Sequence, residues 1–210
     1  MIDEKTAEKF AAYMKKYPIL YQDLAEIVSQ YVSTKKPIIV DVGVGPGFLC
    51  QAMYEKIPHA TLIGIDPNKK MIELAKQHVN VESFQALQGF SEHICLEDNS
   101  VDIVVSRFSL SYWSDPLKSF NEILRILKPN GYVIIEAINK EFSLLKLFFI
   151  KIHMLVKKAG ADVTKYHVDV YKHAYTRKQV EEFFLQSGFL IIKRQGTKKE
   201  WKFLLVGKKQ

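Results

Sequence analysis

The sequence has 210 residues, of which 48% are hydrophobic and 25% charged, and its formal net charge is +7. This size and composition exclude an intrinsically disordered chain and favour one globular domain over residues 1–210. No stretch reaches the roughly 18 uncharged apolar residues of a membrane span, and the N-terminus lacks the basic and then apolar pattern of a secretion signal, so we expect a cytoplasmic protein.

The chain begins with a helical region from Lys5 to Val32. We expect it to be interrupted at Tyr17-Pro18, because the residue before a proline avoids helical geometry. Because this helical region precedes the first strand, residues 1–36 are interpreted as an N-terminal helical cap over a ligand site.

The first strand, over 37–42, is β-branched and uncharged up to Asp41, as is typical of a strand buried on both faces of a parallel sheet. Three glycines follow at alternate positions, Gly43, Gly45 and Gly47. Such glycines permit unusual backbone conformations and let a ligand approach the main chain. A helix over 47–57 would then direct its free N–H groups at that ligand.

A second strand, Thr61 to Ile65, ends in Asp66 and precedes a helix over 68–78. An acid at this position can bind both hydroxyls of a ribose, in dinucleotide-binding Rossmann domains and in class I S-adenosylmethionine (SAM) methyltransferases alike. The glycine spacing separates the two classes. The third glycine of G-x-G-x-x-G would fall on Phe48 or Cys50, so the dinucleotide pattern is incomplete.

The pattern D-x-G-x-G-x-G over residues 41–47 resembles motif I of the class I SAM methyltransferases. The order downstream is similar to that family as well, over about residues 37–140. It continues with strands over 82–87 and 101–106, a helix over 116–127, the turn Leu-Lys-Pro-Asn-Gly and a strand over 131–137. The resemblance implies a SAM-dependent methyltransferase of the small-molecule type.

The alternation of strands and helices predicts an α/β, Rossmann-like fold. We expect a seven-stranded, mostly parallel sheet with the last strand antiparallel and helices on both faces. Thr176 and Gln179 form a capping-box pattern for a helix that ends near Gly188, and a hairpin of Leu190–Gln195 and Trp201–Val206 follows. Residues 141–175 are interpreted as a helical lid insertion after strand five, with a dimer interface or a membrane contact for the 142–156 segment as alternatives.

The resemblance assigns the cofactor contacts residue by residue. The methionine part of SAM would lie against Asp41 and the glycine loop, and the ribose against Asp66. Family members often place an acid for the adenine where this chain has Phe90, so the adenine would depend on the backbone of Ser91 and on packing. The full set of expected cofactor residues is Asp41, Gly43, Val44, Gly45, Gly47, Asp66, Pro67, Phe90, Ser91, Ser106 and Phe108.

Four side chains are candidates for a general base, His153, His167, His173 and Tyr112. Each histidine could equally be a packed or solvent-exposed side chain. Arg107 at the end of the fourth strand could pair with a substrate anion or form a structural ion pair. The spacing of His, Cys, Asp and Glu does not suggest a metal site.

The acceptor is expected to be a small molecule, apolar or anionic. The sequence after the fourth strand lacks the Asn/Asp-Pro-Pro-aromatic motif of enzymes that methylate nucleic-acid bases or glutamine. From Lys140 onwards, however, 16 Lys and Arg stand against 6 Asp and Glu. This basic half keeps a membrane surface or RNA contact open. RNA or protein methylation, a non-catalytic SAM-binding regulator and a homodimer therefore remain alternatives.

Overall fold

The structure is a computed structural model that describes residues 3–143 and 170–210. The predictions for His153, His167 and most of the expected lid lie outside the described residues. Among the helices of these two ranges, none is long and apolar enough to cross a membrane.

The described part of the chain alternates helices and strands after two N-terminal helices. In chain order the elements are α1 (Glu4–Met14), α2 (Ile19–Ser29), β1 (Ile38–Val42), α3 (Phe48–Lys56), β2 (Thr61–Asp66), α4 (Lys69–His78), β3 (Phe84–Gln88), β4 (Val101–Arg107), α5 (Pro116–Ile126), β5 (Leu127–Ile138), α6 (Arg177–Gln186), β6 (Phe189–Gln195) and β7 (Lys202–Lys209). A short 3-10 turn, Leu110–Tyr112, lies between β4 and α5.

These strands form one sheet in the order β3-β2-β1-β4-β5-β7-β6. The pairs from β3 across to β5 are parallel, and β7 is antiparallel to both of its neighbours. The predicted Rossmann-like sheet is therefore confirmed. The strand order reverses between β1 and β4, and the carboxyl ends of strands at such a point form the usual ligand crevice of open α/β sheets.

Side-chain caps fix where α4, α5 and α6 begin. Asn68 accepts hydrogen bonds from the backbone N–H groups of Lys70 and Met71 at the start of α4. Asp115 does the same for Lys118 in α5, and the capping box of Thr176 and Gln179 opens α6 as predicted. Several strand boundaries differ from their predictions, and the start of β5 differs most: β5 begins at Leu127 instead of residue 131, because Leu127 already pairs with Val101 of β4. At the end of the chain, β7 covers Lys202–Lys209 instead of 201–206.

Two hydrophobic layers bury the faces of the sheet. One contains residues of α1 to α4, such as Leu24 and Met53, and the other contains residues of α5 and α6, such as Phe120 and Phe184. The buried rings Phe120, Phe184 and Phe203 are among the largest fully enclosed side chains. Burial on both faces holds the central strands rigidly, so the loops at their carboxyl ends start from fixed positions.

Candidate cofactor and acceptor site

A cavity of about 550 Å³ lies at the carboxyl ends of β1, β2 and β4. Part of its wall is the loop after β1 together with Asp66, Pro67 and Ser91, which the sequence predicts as cofactor contacts. Another part is aromatic and comes from α1, α2, the turn between them, the start of α3 and the segments after β3, β4 and β6. The aromatic residues of the wall are Phe10, Tyr13, Tyr17, Tyr21, Phe48, Phe90, Phe108, Tyr112, Trp113 and Trp201.

All three glycines of the loop after β1 adopt the positive φ values that favour glycine. Gly43, Gly45 and Gly47 have φ values of +83°, +52° and +85°. A Cβ on Gly45 would meet no atom within 4 Å, whereas a Cβ on Gly43 would lie 2.2 Å from the Cβ of Ser109. Gly43 thus lets the loop pack on the segment after β4, and Gly45 leaves open space for a ligand against the main chain.

Gly47 does not line the cavity, which differs from its predicted role as a cofactor contact. A Cβ there would lie 2.8 Å from a methyl of Val79 and 3.0 Å from the Cα of Ala75. Gly47 therefore serves the close packing of the loop on α4, and its N–H donates to the carbonyl of Val44.

Asp66 holds the glycine loop from the neighbouring strand. Its carboxylate accepts hydrogen bonds from the N–H of Gly45 at 3.0 Å and from the N–H of Asn68 at 2.9 Å. Burial raises the pKa of Asp66, and these two hydrogen bonds oppose that rise. Each carboxylate oxygen accepts one of these bonds, which leaves each with acceptor capacity toward the cavity that Asp66 lines.

Asp41 lies at the end of β1 and is almost completely buried. The Cys50 thiol donates to its Oδ2 at 3.8 Å, while Oδ1 has no hydrogen-bond partner among the described residues. Burial raises the pKa of Asp41 to about 7, against the opposing effect of the Cys50 hydrogen bond. A buried carboxylate oxygen without a partner, on the wall of a cavity, is suited to accept a hydrogen bond from a cationic ligand group.

The loop after β3 is fastened by Glu92, which the sequence analysis did not identify. Its Oε1 accepts hydrogen bonds from the N–H and hydroxyl of Ser114 and from the N–H of Asp115, at 2.6, 2.9 and 3.1 Å. The neighbouring Ser91 is buried and bonded to Ser119, and Phe90 lines the cavity with its side chain largely exposed. The predicted adenine loop is thereby tied to the start of α5.

Ser106 differs from its predicted role as a cofactor contact. Its side chain is fully buried, does not line the cavity and shares a 2.6 Å hydrogen bond with the hydroxyl of Ser109. Ser109 in turn donates to the carbonyl of Val42 at 2.8 Å and accepts from the indole N–H of Trp113. Ser106 thus stabilises the junction between β4 and the glycine loop.

Arg107 and Phe108 end β4 on the cavity wall. The Nε of Arg107 donates to Glu136 at 2.8 Å, and both side chains are buried, so the structural ion pair is present. Phe108 has a φ of +55°, a left-handed conformation that is costly for an aromatic residue. Its N–H donates to the carbonyl of Glu136 at 2.8 Å, which fixes this turn.

The candidate bases separate clearly. Tyr112 lines the cavity. His173 is exposed and does not line the cavity, so the geometry does not support His173 as a base. Tyr171, two residues before His173, donates its hydroxyl to the carbonyls of Lys140 and Phe142 and so has a structural contact.

The residues at the glycine end of the cavity fit SAM. Gly45 leaves room beside the main chain, the unpartnered Oδ1 of Asp41 suits the ammonium of the methionine part, and Asp66 retains acceptor capacity for ribose hydroxyls. SAM would supply a methyl group already activated by a sulfonium centre.

Comparison with known proteins gives the same result. A family model described as a methyltransferase domain matches residues 40–135. Demethylmenaquinone methyltransferase of Chlorobaculum tepidum is 30% identical over 174 residues, covering 81% of this chain and 69% of that protein. A chloroplastic 2-methyl-6-phytyl-1,4-hydroquinone methyltransferase of Oryza sativa is 29% identical, over 57% of this chain and 36% of that protein.

Solved structures share the fold. A SAM-dependent methyltransferase from Aquifex aeolicus superposes with a TM-score of 0.74 at 19% identity, with 99% of each chain covered. Together with the glycine loop, the acid of β2 and the sheet order, these similarities show that the chain belongs to the class I SAM-dependent methyltransferases.

Proposed function

We propose that this enzyme transfers a methyl group from SAM, held between the glycine loop and Asp66, to a small apolar acceptor held against the aromatic wall. The observation that carries the proposal is that one cavity contains both surfaces. A methyl donor and an acceptor bound in one cavity can be aligned for direct transfer.

The aromatic wall supports an acceptor with a ring or another flat apolar body. Tyr13, Tyr17 and Tyr21 contribute from α1, α2 and the turn between them, and Trp201 contributes from the start of β7 with its ring 5.2 Å from that of Phe108. Aromatic pockets of this kind bind apolar molecules chiefly by area burial and ring stacking. Two relatives carry names whose acceptors, demethylmenaquinone and a phytyl hydroquinone, are such molecules.

The reaction is an in-line displacement. When bound, SAM would supply a methyl group that an electron pair of the acceptor could displace from sulfur, with SAH as the leaving group and the acceptor's proton passing to a base or to water. The contribution of the chain is to align the acceptor, to exclude water and to assist the loss of this proton. Tyr112 is the predicted base whose position on the cavity wall supports that last role.

RNA receives less support as the acceptor. Lys209 donates to the carbonyls of Leu124 and Leu127 at 2.7 Å, and Lys198 pairs with Glu141 at 3.1 Å. Part of the basic surplus is thus used within the molecule.

A methylation screen tests the proposal. The enzyme is incubated with SAM and, separately, a short-chain naphthohydroquinone, a mixed-sequence oligoribonucleotide and a lysine-rich peptide, and S-adenosylhomocysteine (SAH) is measured. We expect turnover with the hydroquinone in wild type and a large loss in Asp66→Ala. Turnover confined to the oligoribonucleotide or the peptide would contradict the proposal, and SAH binding without turnover on any acceptor would favour a non-catalytic regulator.

A further inference from the structure

One nitrogen of Arg107 has no hydrogen-bond partner among residues 3–143 and 170–210. The side chain is only 6% exposed, its Nε is paired with Glu136, and its Nη2 is buried with no partner among the described residues. A buried charged donor without a partner is costly, and nearly all such groups in folded proteins are satisfied. Because Arg107 lines the cavity, a ligand in the cavity is a partner that could satisfy Nη2.

The charges around Arg107 leave a surplus of positive charge. Glu136 is 4% exposed and pairs with two cations, Arg107 and Lys202. One carboxylate therefore faces two positive groups. Among the acids that line the same cavity, Asp41 interacts electrostatically with Arg107, but burial raises the pKa of Asp41 to about 7, so it carries only part of a negative charge near neutral pH. Asp66 is bonded to two backbone N–H groups, and Glu92 is satisfied by the start of α5.

The surroundings of the guanidinium are aromatic. Its central carbon lies 4.6 Å from the ring centre of Tyr21 and 4.3 Å from that of Phe108. These contacts fix the guanidinium plane, and the left-handed backbone of Phe108 is part of that arrangement. A ligand that binds Nη2 would therefore contact one cationic hydrogen-bond donor, surrounded by aromatic rings.

We propose that Arg107 is a specificity-determining residue, whose Nη2 binds a single oxyanion, a carboxylate or an ionised phenol, on the aromatic or apolar acceptor. This inference rests on the proposed function, because it assigns the substrate class of the same cavity. The methionine carboxylate of the cofactor is the other source of such an oxygen, and the experiment separates the two.

The test uses two probes of the same shape, 2-naphthoate and the neutral 2-naphthamide, titrated calorimetrically into enzyme saturated with SAH. The test variant is the double substitution Arg107→Gln with Glu136→Gln, which removes both buried charges together and avoids leaving Glu136 without its arginine. Lys128→Gln is the matched control, because Lys128 pairs with Asp102 near the amino end of β4, and neither residue lines the cavity.

We expect wild type and the Lys128→Gln control to bind 2-naphthoate about 10-fold or more tightly than 2-naphthamide, as one charge-assisted hydrogen bond would give. In the double variant this preference should disappear, with SAH affinity within about threefold of wild type. Binding of neither probe at millimolar concentration, equal binding of the two by wild type, or a preference kept by the double variant would overturn the proposal. So would a loss of SAH affinity larger than the loss of 2-naphthoate affinity, because it would assign Arg107 to the cofactor.

These titrations require no methyl transfer. An enzyme that shows the charge preference and yet methylates no small acceptor would contradict the proposed function and support the assignment of Arg107. Turnover on a small acceptor without the charge preference would support the proposed function and contradict the assignment of Arg107.

Discussion

The carboxylate of Asp66 accepts a hydrogen bond from the N–H of Gly45 at 3.0 Å, so the acid at the end of β2 holds the glycine loop at the end of β1. The same carboxylate lines the cavity and is proposed to bind the ribose. One side chain thus connects the shape of the loop to cofactor affinity.

Replacement of Asp66 tests this connection. We expect Asp66→Ala to weaken SAH binding by about 1.5 to 3 kcal/mol, roughly 10- to 150-fold, because charge-assisted hydrogen bonds are lost. Asp66→Asn keeps one acceptor oxygen and should lose less. Calorimetry measures both, with Asp98→Asn as the control, since Asp98 pairs with Arg125 on the surface. Wild-type affinity in Asp66→Ala would remove the ribose role.

Asp41 should make cofactor binding depend on pH. Its pKa, raised by burial from 3.8 to about 7, means that the carboxyl is largely protonated at pH 6 and largely ionised at pH 8. If the ionised form binds the ammonium of SAH, the affinity should fall by up to about tenfold between pH 8 and pH 6. Calorimetry at the two pH values measures this change.

The same raised pKa has the opposite effect on stability: SAH affinity rises with pH, whereas the free energy of unfolding of the ligand-free enzyme falls. The folded state retains the proton between about pH 4 and pH 7 while the unfolded chain releases it, so this group lowers the free energy of unfolding as pH rises through that window. Asp41→Asn should abolish both pH effects and separates them from any titration of Asp66. An unchanged pH dependence of SAH binding in Asp41→Asn would argue against the ammonium contact.

Glu92 should control the position of the adenine loop. We expect Glu92→Gln to lower the free energy of unfolding by about 1 to 2 kcal/mol and to weaken SAH binding several-fold, because its three hydrogen bonds to Ser114 and Asp115 lose their charge. Thermal unfolding and calorimetry measure the two effects. Glu97→Gln, an exposed acid on the same connection, is the matched control. Equal SAH affinity in the two variants would show that the loop does not need this anchor.

Glu92 should also contribute to acid denaturation. Burial raises its pKa, but the hydrogen bonds from Asp115 and Ser114 outweigh that effect and hold it below the ordinary value of 4.5. Its stabilisation is therefore present above about pH 4.5 and is lost as pH falls through the lowered folded value. The difference in melting temperature between wild type and Glu92→Gln should shrink as pH falls below 4.

Tyr112 is expected to act in the chemical step and not in cofactor binding. Tyr112→Phe should lower kcat roughly 100-fold or more with the small acceptor, as the loss of a general base or acid does, and leave SAH affinity unchanged. Tyr132→Phe, whose ring packs on Tyr31 away from the cavity, should keep full activity. A wild-type kcat in Tyr112→Phe would assign proton removal to water or to another group.

The sequence predicts the centre of the sheet because β1 and β2 are short apolar runs with an acid at or near the end. The run before Asp41 and the run before Asp66 place both carboxylates at the same edge, and the capping box at Thr176 fixes α6. The start of β5 could not be predicted from the local sequence, because it depends on the pairing of Leu127 with Val101 of β4, a distant segment.

The site was predicted only in part, because several contacts join distant segments. Glu92 binds the start of α5, 22 residues onward, and an isolated glutamate in a loop gives no signal of that partner. Gly47 and Ser106 carry the family pattern, yet the first packs on α4 and the second on Ser109. Tyr13 and Tyr17 lie four residues apart before the break at Pro18, and this spacing could have indicated that they share a face.

A crystal structure of the enzyme with SAH would show whether the cofactor lies between the glycine loop and Asp66. We expect the ribose hydroxyls within hydrogen-bond distance of the Asp66 carboxylate, the ammonium at Oδ1 of Asp41 and the main chain of Gly45 against the ligand. Density for SAH away from the glycine loop, or a ribose that makes no contact with Asp66, would contradict this placement of the cofactor.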